Sequence, residues 1–178
     1  LEFETEPLSG KLNNTDCRTV SFQNDSTLWL GSGDGLILAG FTGSGRSFET
    51  EPVDTFLTGK TVRTVLIDHQ SNIWAVMGDQ GLARITCGSE GYGVQEFRNV
   101  PSDLNSLSSN RVRCLFEDSQ GNLWIGTVDN GLNRYNLSSN AFYNLNRLNS
   151  GDPGLRSDII LSFLQMETDR VLVGTRDR

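Results

Sequence analysis

The sequence predicts an all-β chain built from β-propeller blades, about four units each of four antiparallel strands. Three observations predict it. First, an apolar run, a polar turn and a second apolar run recur along the chain, and Trp29, Trp74 and Trp124 each fall at the same place in the second run. A fourth copy carries Leu172 there, and the spacings are 45, 50 and 48 residues. Second, Phe3-Glu4-Thr5-Glu6-Pro7 returns unchanged as Phe48-Glu49-Thr50-Glu51-Pro52, again 45 residues on. Third, no segment keeps the i, i+3, i+4, i+7 apolar spacing of a surface helix, so little or no helix is expected.

One unit shows how the strands arise. Residues 112–117 are mostly β-branched, aromatic or apolar, which suits a strand. Asp118-Ser119-Gln120-Gly121 is a turn. Residues 122–127 form the second strand. Asp129-Asn130-Gly131 is a hairpin turn, because Asn and Gly tolerate positive φ. Residues 132–135 and 141–145 supply the third and fourth strands. The first two strands are near-continuous apolar runs, as expected of sheets covered on both faces. By this reading residues 1–8 are the outer strand of a preceding blade. Blades follow at 9–53, 54–99 and 100–146, and 147–178 is the first half of a further blade. The expectation is a piece of a longer propeller, with self-association or further blades covering its open edges; the alternative is a degenerate four-bladed ring.

Composition narrows the function. The chain has 178 residues and a formal charge of −7. An acidic surface does not suit non-specific nucleic-acid binding, which releases counterions through Lys and Arg, nor docking on anionic lipid. No apolar run reaches the roughly 18 residues that span a bilayer, and the first residues have no signal-peptide pattern. Cys17, Cys87 and Cys114 form no CxxC pair, so neither a disulfide framework nor a zinc site is expected; they read as small buried hydrophobes.

Several motifs resemble chemistry without satisfying it. Gly31-Ser32-Gly33-Asp34-Gly35 and the glycines at 40–45 stand in hairpin turns rather than between a strand and a helix, so they are not phosphate loops. Gly59-Lys60-Thr61 lacks the first P-loop glycine, whose place is taken by Asp54. The turn at 118–122 lacks the calcium-loop spacing and its closing Glu. His69, the only histidine, reads as a solvated turn residue. No paired acid and base stands apart from the repeat, so no catalytic residue, metal or cofactor is assigned.

Two polar positions recur. Arg18, Arg63 and Arg113 occupy the second place of the first strand. Asp34, Asp79, Asp129 and Asp177 follow the Trp position by five residues, in the turn between second and third strands. On this reading both series open on one face of the propeller. Each Arg could pair with an Asp or a carbonyl and stitch the blades together. Alternatively the arginines rim a channel mouth that holds an acidic sugar or sulfate, which suits a planar guanidinium. The connections at 99–111 and 146–159 are long and variable and reach the same face. They carry Asn99, Asn105, Asn110, Asn146, Asn149, Arg147 and Arg156, able to bond sugar hydroxyls or acidic groups. The candidate ligand residues are therefore Arg18, Arg63, Arg113, Asp34, Asp79, Asp129, Asn110, Arg147 and Arg156.

The run Leu107 to Arg113, then Phe116 to Thr127, then Gly131-Leu132-Asn133-Arg134-Tyr135 resembles the two-component regulator propeller repeat. The first two copies resemble it well and the fourth partly, since it lacks Trp and the turn glycine. The resemblance implies a seven-bladed propeller in the periplasmic sensor region of a hybrid histidine kinase, one that detects oligosaccharides. It implies an oligosaccharide ligand and further blades as partners, and places the kinase outside these residues. A protein-binding scaffold and, less well supported, part of a propeller lyase or glycoside hydrolase are the alternatives.

Overall fold

The computed structural model describes residues 12, 15–44, 47–137, 139–149, 151 and 154–176. The preceding outer strand expected at 1–8, and Asp177, lie outside them. No described residue lies in an α-helix. The strands are β1 (Cys17–Asn24), β2 (Thr27–Ser32), β3 (Gly35–Ser44), β4 (Ser47–Phe56), β5 (Thr64–Ile67), β6 (Ile73–Val76), β7 (Leu82–Gly88), β8 (Gly91–Phe97), β9 (Val112–Glu117), β10 (Asn122–Thr127), β11 (Leu132–Asn136), β12 (Ala141–Leu145), β13 (Ile160–Glu167) and β14 (Arg170–Thr175). They make three four-stranded antiparallel sheets and one two-stranded sheet, each a simple meander. The sheets pack in chain order through their first and second strands.

The tryptophans set the register. Trp29 pairs with Ser21 and Leu38. Trp74 pairs with Leu66 and Arg84, and Trp124 with Phe116 and Arg134. Leu172 pairs with Leu164 in the same place. Each Trp points toward the following sheet. Trp29 meets Tyr92 of the second sheet, Trp74 meets Tyr135 of the third, and Trp124 meets Phe163 of the fourth. One apolar core lies between the first and second sheets and another between the second and third.

Position in the array decides exposure. β6 lies between two sheets and is buried at every residue. On β1, Val20 and Phe22 are 51% and 63% exposed. On the fourth sheet Leu164 and Leu172 are 59% and 50% exposed, since their face looks beyond the last described sheet. The cysteines depart from expectation for the same kind of reason. Cys17 starts β1 and Cys87 ends the β7 hairpin arm, and both are exposed. Cys114 is partly buried against Gly126, and that burial pushes its thiol up to about 11.

The turn before each Trp strand is a side-chain clamp. Asp118 accepts bonds from the N–H groups of Gln120 and Asn122, from the Asn122 side chain, and from the Trp124 indole at 2.8 Å. Asp68 does the same for Gln70, Asn72 and the Trp74 indole. In the first sheet Gln23 accepts the Trp29 indole at 3.0 Å. The acceptor stands six residues before the Trp in all three; in the fourth copy it is Met166, and there is no indole to satisfy. Ser71 and Gly121 take positive φ at equivalent turn places.

Burial alone would raise the Asp118 carboxyl, but the Trp124, Asn122 and Gln120 donors outweigh it and hold it below the ordinary carboxylate range. Asp118→Ala is expected to cost about 3 kcal/mol, because it strands the part-buried indole and turn donors together. The contribution is present above the unfolded value near pH 3.9 and is lost as pH falls through the lower folded value. Urea unfolding of both proteins should show the gap narrowing in acid; a gap independent of pH would exclude the ionised clamp.

Candidate functional site

The connection from β8 to β9 is anchored to the face that carries the β6–β7 and β10–β11 turns. Leu107 is fully buried and enters the core between the second and third sheets. Asn110 accepts the Asn99 N–H at 2.7 Å, and the Asn110 carbonyl accepts the Gly81 N–H at 2.9 Å. The Asn99 side chain donates to the carbonyls of Leu107 and Ser108. Fully buried Asn133 accepts from Ser108 N–H and donates to Ser108 Oγ. Asn130 donates to the Ser108 carbonyl, and Asn144 to those of Leu104 and Ser106. The loop is thus tied to the ends of all three neighbouring strands, a preorganised rim on a rigid scaffold.

Two recesses adjoin this rim. One of about 540 Å³ is lined by Asn110, Arg111, Asp129 and the loop around Ser108. The second, of about 810 Å³, shares Asn99, Ser108 and Asn130 with it and extends to Asn105, Asn144 and Asn149. Its far wall is the Trp124–Arg134–Tyr143 row, with the Arg134 guanidinium 5.2 Å from the Tyr143 ring centroid. That wall is a blade-packing face. The equivalent row on the second sheet, Trp74–Arg84–Gln95, is covered by Tyr135 and Asn140 of the third, to which Arg84 donates at 3.3 Å. The polar part of the two recesses is the candidate site.

Each nominated residue has a definite place. Arg18 pairs with Asp16 at 2.7 Å and stands beside Gly33 in the turn that holds Asp34. Asp34 accepts the Gly59 N–H at 3.1 Å, tying the first sheet to the connection after it. Arg63 lies just before β5, near Gly78 of the Asp79 turn. Arg113 is on β9 beside Cys114. Arg63, Arg113 and Asp79 are exposed, and neither arginine has an ion pair among the described residues. The repeated Arg series therefore does not pair with the repeated Asp series. The pair that does form is Arg111 with Asp129, at 3.1 Å and half-exposed. Arg111 immediately precedes the strand, on the edge of the recess, and sequence reasoning passed over it because it does not repeat.

The asparagines are mostly engaged by the loops themselves. Asn110 and Asn99 close the 98–111 loop, and Asn146 and Asn149 cap each other's backbone. The Arg147 N–H donates to Asp158 at 2.8 Å, leaving its side chain exposed; Arg156 is exposed in the same connection. The groups presented outward at the rim are Arg111, Asp129, Asn105 and Arg147. Among the described residues no cluster of His, Cys, Asp and Glu could hold a metal ion.

The architecture is that of a propeller-type all-β segment, four sheets in sequence around repeated first strands. Residues 106–129 match the two component regulator propeller family. The chain is similar, with a TM-score of 0.70 and 20% identity, to the extracellular domain of the protein described as hybrid two component system BT3049 from B. thetaiotaomicron. The alignment covers 92% of this chain and 22% of that one. A second similar structure is the extracellular domain of the protein described as one component system BT4673 from the same organism, with a TM-score of 0.64, 22% identity, and 93% of this chain against 20% of that one. The chain thus spans about a fifth of each. No curated protein matches it. Among the described residues no helix is long and apolar enough to cross a membrane.

Proposed function

We propose that this chain is a ligand-sensing propeller segment from the periplasmic side of a two-component sensor, and that it contributes to a glycan site on the face carrying the 98–111 loop. The carrying observation is the anchored rim. Its backbone is held by Asn99, Asn110, Asn133 and Asn144, while Arg111, Asp129 and Asn105 face outward over two connected recesses. An ion pair and amides at the edge of an open polar recess suit hydroxyl-rich or acidic sugars, which need bidentate partners rather than an apolar slot. The similarity to extracellular domains supports the location.

The test is calorimetry of the chain against a panel of neutral and acidic glycan fragments. A fragment that binds should lose about tenfold in affinity in Arg111→Ala and in Asp129→Ala, as expected when one charged hydrogen bond is removed. Val20→Ala, on β1 of the first sheet and 51% exposed, should bind as wild type. Binding unchanged by both rim substitutions, or absent across the panel, would overturn the proposal.

A further inference from the structure

The turns between first and second strands lie on the side opposite the candidate site, and there the sheets are joined by a repeated contact. His69, five residues before Trp74, donates its backbone N–H to Glu117 Oε2 at 3.0 Å, and its ring Nδ1 stands 2.5 Å from Glu117 Oε1. Glu117 is seven residues before Trp124, at the end of β9. The imidazole lies on Gly121: a Cβ there would come within 2.6 Å of His69 Cε1. The next interface repeats the arrangement with neutral groups. Ser119 donates its N–H to Gln165 Oε1 at 2.9 Å, and Gln165 Nε2 donates to Ser119 Oγ at 2.5 Å. At the first interface the corresponding residues are Asn24 and Ile67, and the sheets are joined by Ser21 Oγ donating to the Val65 carbonyl.

We propose that the His69–Glu117 pair makes the interface of the second and third blades a proton-operated clamp, closed when the imidazole is charged, in an array whose next interface is joined at that place by neutral groups and whose first interface carries Asn24 and Ile67 there. The backbone bond to Glu117 holds in both protonation states. The ring bond gains the full charge pair only with a cationic imidazole. The charged groups acting on the ring are Glu117 from β9 and Asp68 from its own turn. Asp118 follows Glu117, but its oxygens are engaged by Gln120, Asn122 and Trp124.

The bond to Glu117 raises the imidazole above its ordinary value, against a smaller opposing effect of desolvation. The folded value therefore lies above the unfolded one. The clamp is complete below about pH 6.5, the ordinary histidine value, and loosens to its backbone bond as pH rises through the folded value. Because the imidazole is half-exposed, salt should weaken the effect.

His69 is the only histidine, so its imidazole resonance in the full chain is unambiguous. Its titration midpoint should lie above the ordinary value and move down in Glu117→Gln. Amide protection at 69 and 119–121, corrected for intrinsic exchange, should be about two- to fivefold greater near pH 5.5 than near pH 8.5, in line with an exposed ion pair. His69→Gln should abolish that dependence. Ser119→His with Gln165→Glu should install it between the third and fourth blades. A wild-type midpoint at the ordinary value, or equal protection at the two pH values, would overturn the clamp; both are read on the wild-type chain, whatever the variants do.

Discussion

Trp74→Ala should destabilise the chain by about 4 kcal/mol, and Trp124→Ala by about half as much. Trp74 is fully buried, 5.7 Å from the Phe97 ring centroid, 5.2 Å from that of Tyr135, and under the Arg84 guanidinium. Removing it opens a cavity bounded by two sheets and takes away one of the two donors to Asp68 Oδ2, leaving the Asn72 side chain. Trp124 has the same strand place and the same carboxylate partner, but its nearest following ring is Phe163 at 6.3 Å, and part of its surface lines an open recess. Chemical denaturation of the two variants measures the difference. Equal losses would mean that the Trp contributes through its own turn and not through the neighbouring sheet. A loss of about 4 kcal/mol is a large share of a typical domain's 5–15 kcal/mol, so Trp74→Ala should unfold at a clearly lower denaturant concentration than the wild type.

Gly131→Ala should cost about 3 kcal/mol, by a mechanism unrelated to cavities. Gly131 has φ of +70° in the β10–β11 turn, and a Cβ there would come within 2.1 Å of the Leu145 carbonyl oxygen. That atom belongs to the backbone, so no rotamer change relieves the clash, and β12 must move away from the turn. Gly59 provides the comparison. Its φ is +76°, yet a Cβ meets nothing within 4 Å. Gly59→Ala should cost only the left-handed conformation, about 1 kcal/mol, and the difference between the two isolates the close approach. The recess beside Asn144 and Asn149 is built on the same strand end, so Gly131→Ala should also weaken any ligand held there. If both variants were equally stable, close approach at Gly131 would not matter.

The fold was legible because the repeat forces equivalence. Three tryptophans at one register place three second strands, and the turn residues between them follow from Asp, Asn and Gly chemistry. Burial was less legible, because it depends on which sheets stand on either side. Cys17 has the composition of a core residue, but it begins the first described sheet, and among the described residues no sheet covers its outer side. The polar contacts were least legible. Asp118 was readable as a turn former, yet its bond to the indole six residues on needs the hairpin to be closed first. Likewise His69 reads as a lone turn residue until the register of β9 brings Glu117 to it. Arg113 stood out because it repeats, whereas Arg111 forms the pair with Asp129. Recurrence of the Trp marks what packs the sheets together, recurrence of the Arg does not, and a pair confined to one blade leaves no periodic signal.

The clamp before each Trp strand also constrains how copies of this repeat can diverge. If the acceptor is lost first, a buried indole N–H is stranded and the turn loses its organiser. If the indole is lost first, the carboxylate still serves the turn amides through one oxygen and the Asn side chain through the other. Decay of a copy therefore has a permitted direction: aromatic ring first, acceptor second. The fourth copy, with Leu172 and Met166, carries neither group, whereas the first, with Gln23, has an amide oxygen as the acceptor of its ring. Building the clamp into the fourth copy would therefore mean installing an acceptor at 166 before a tryptophan at 172.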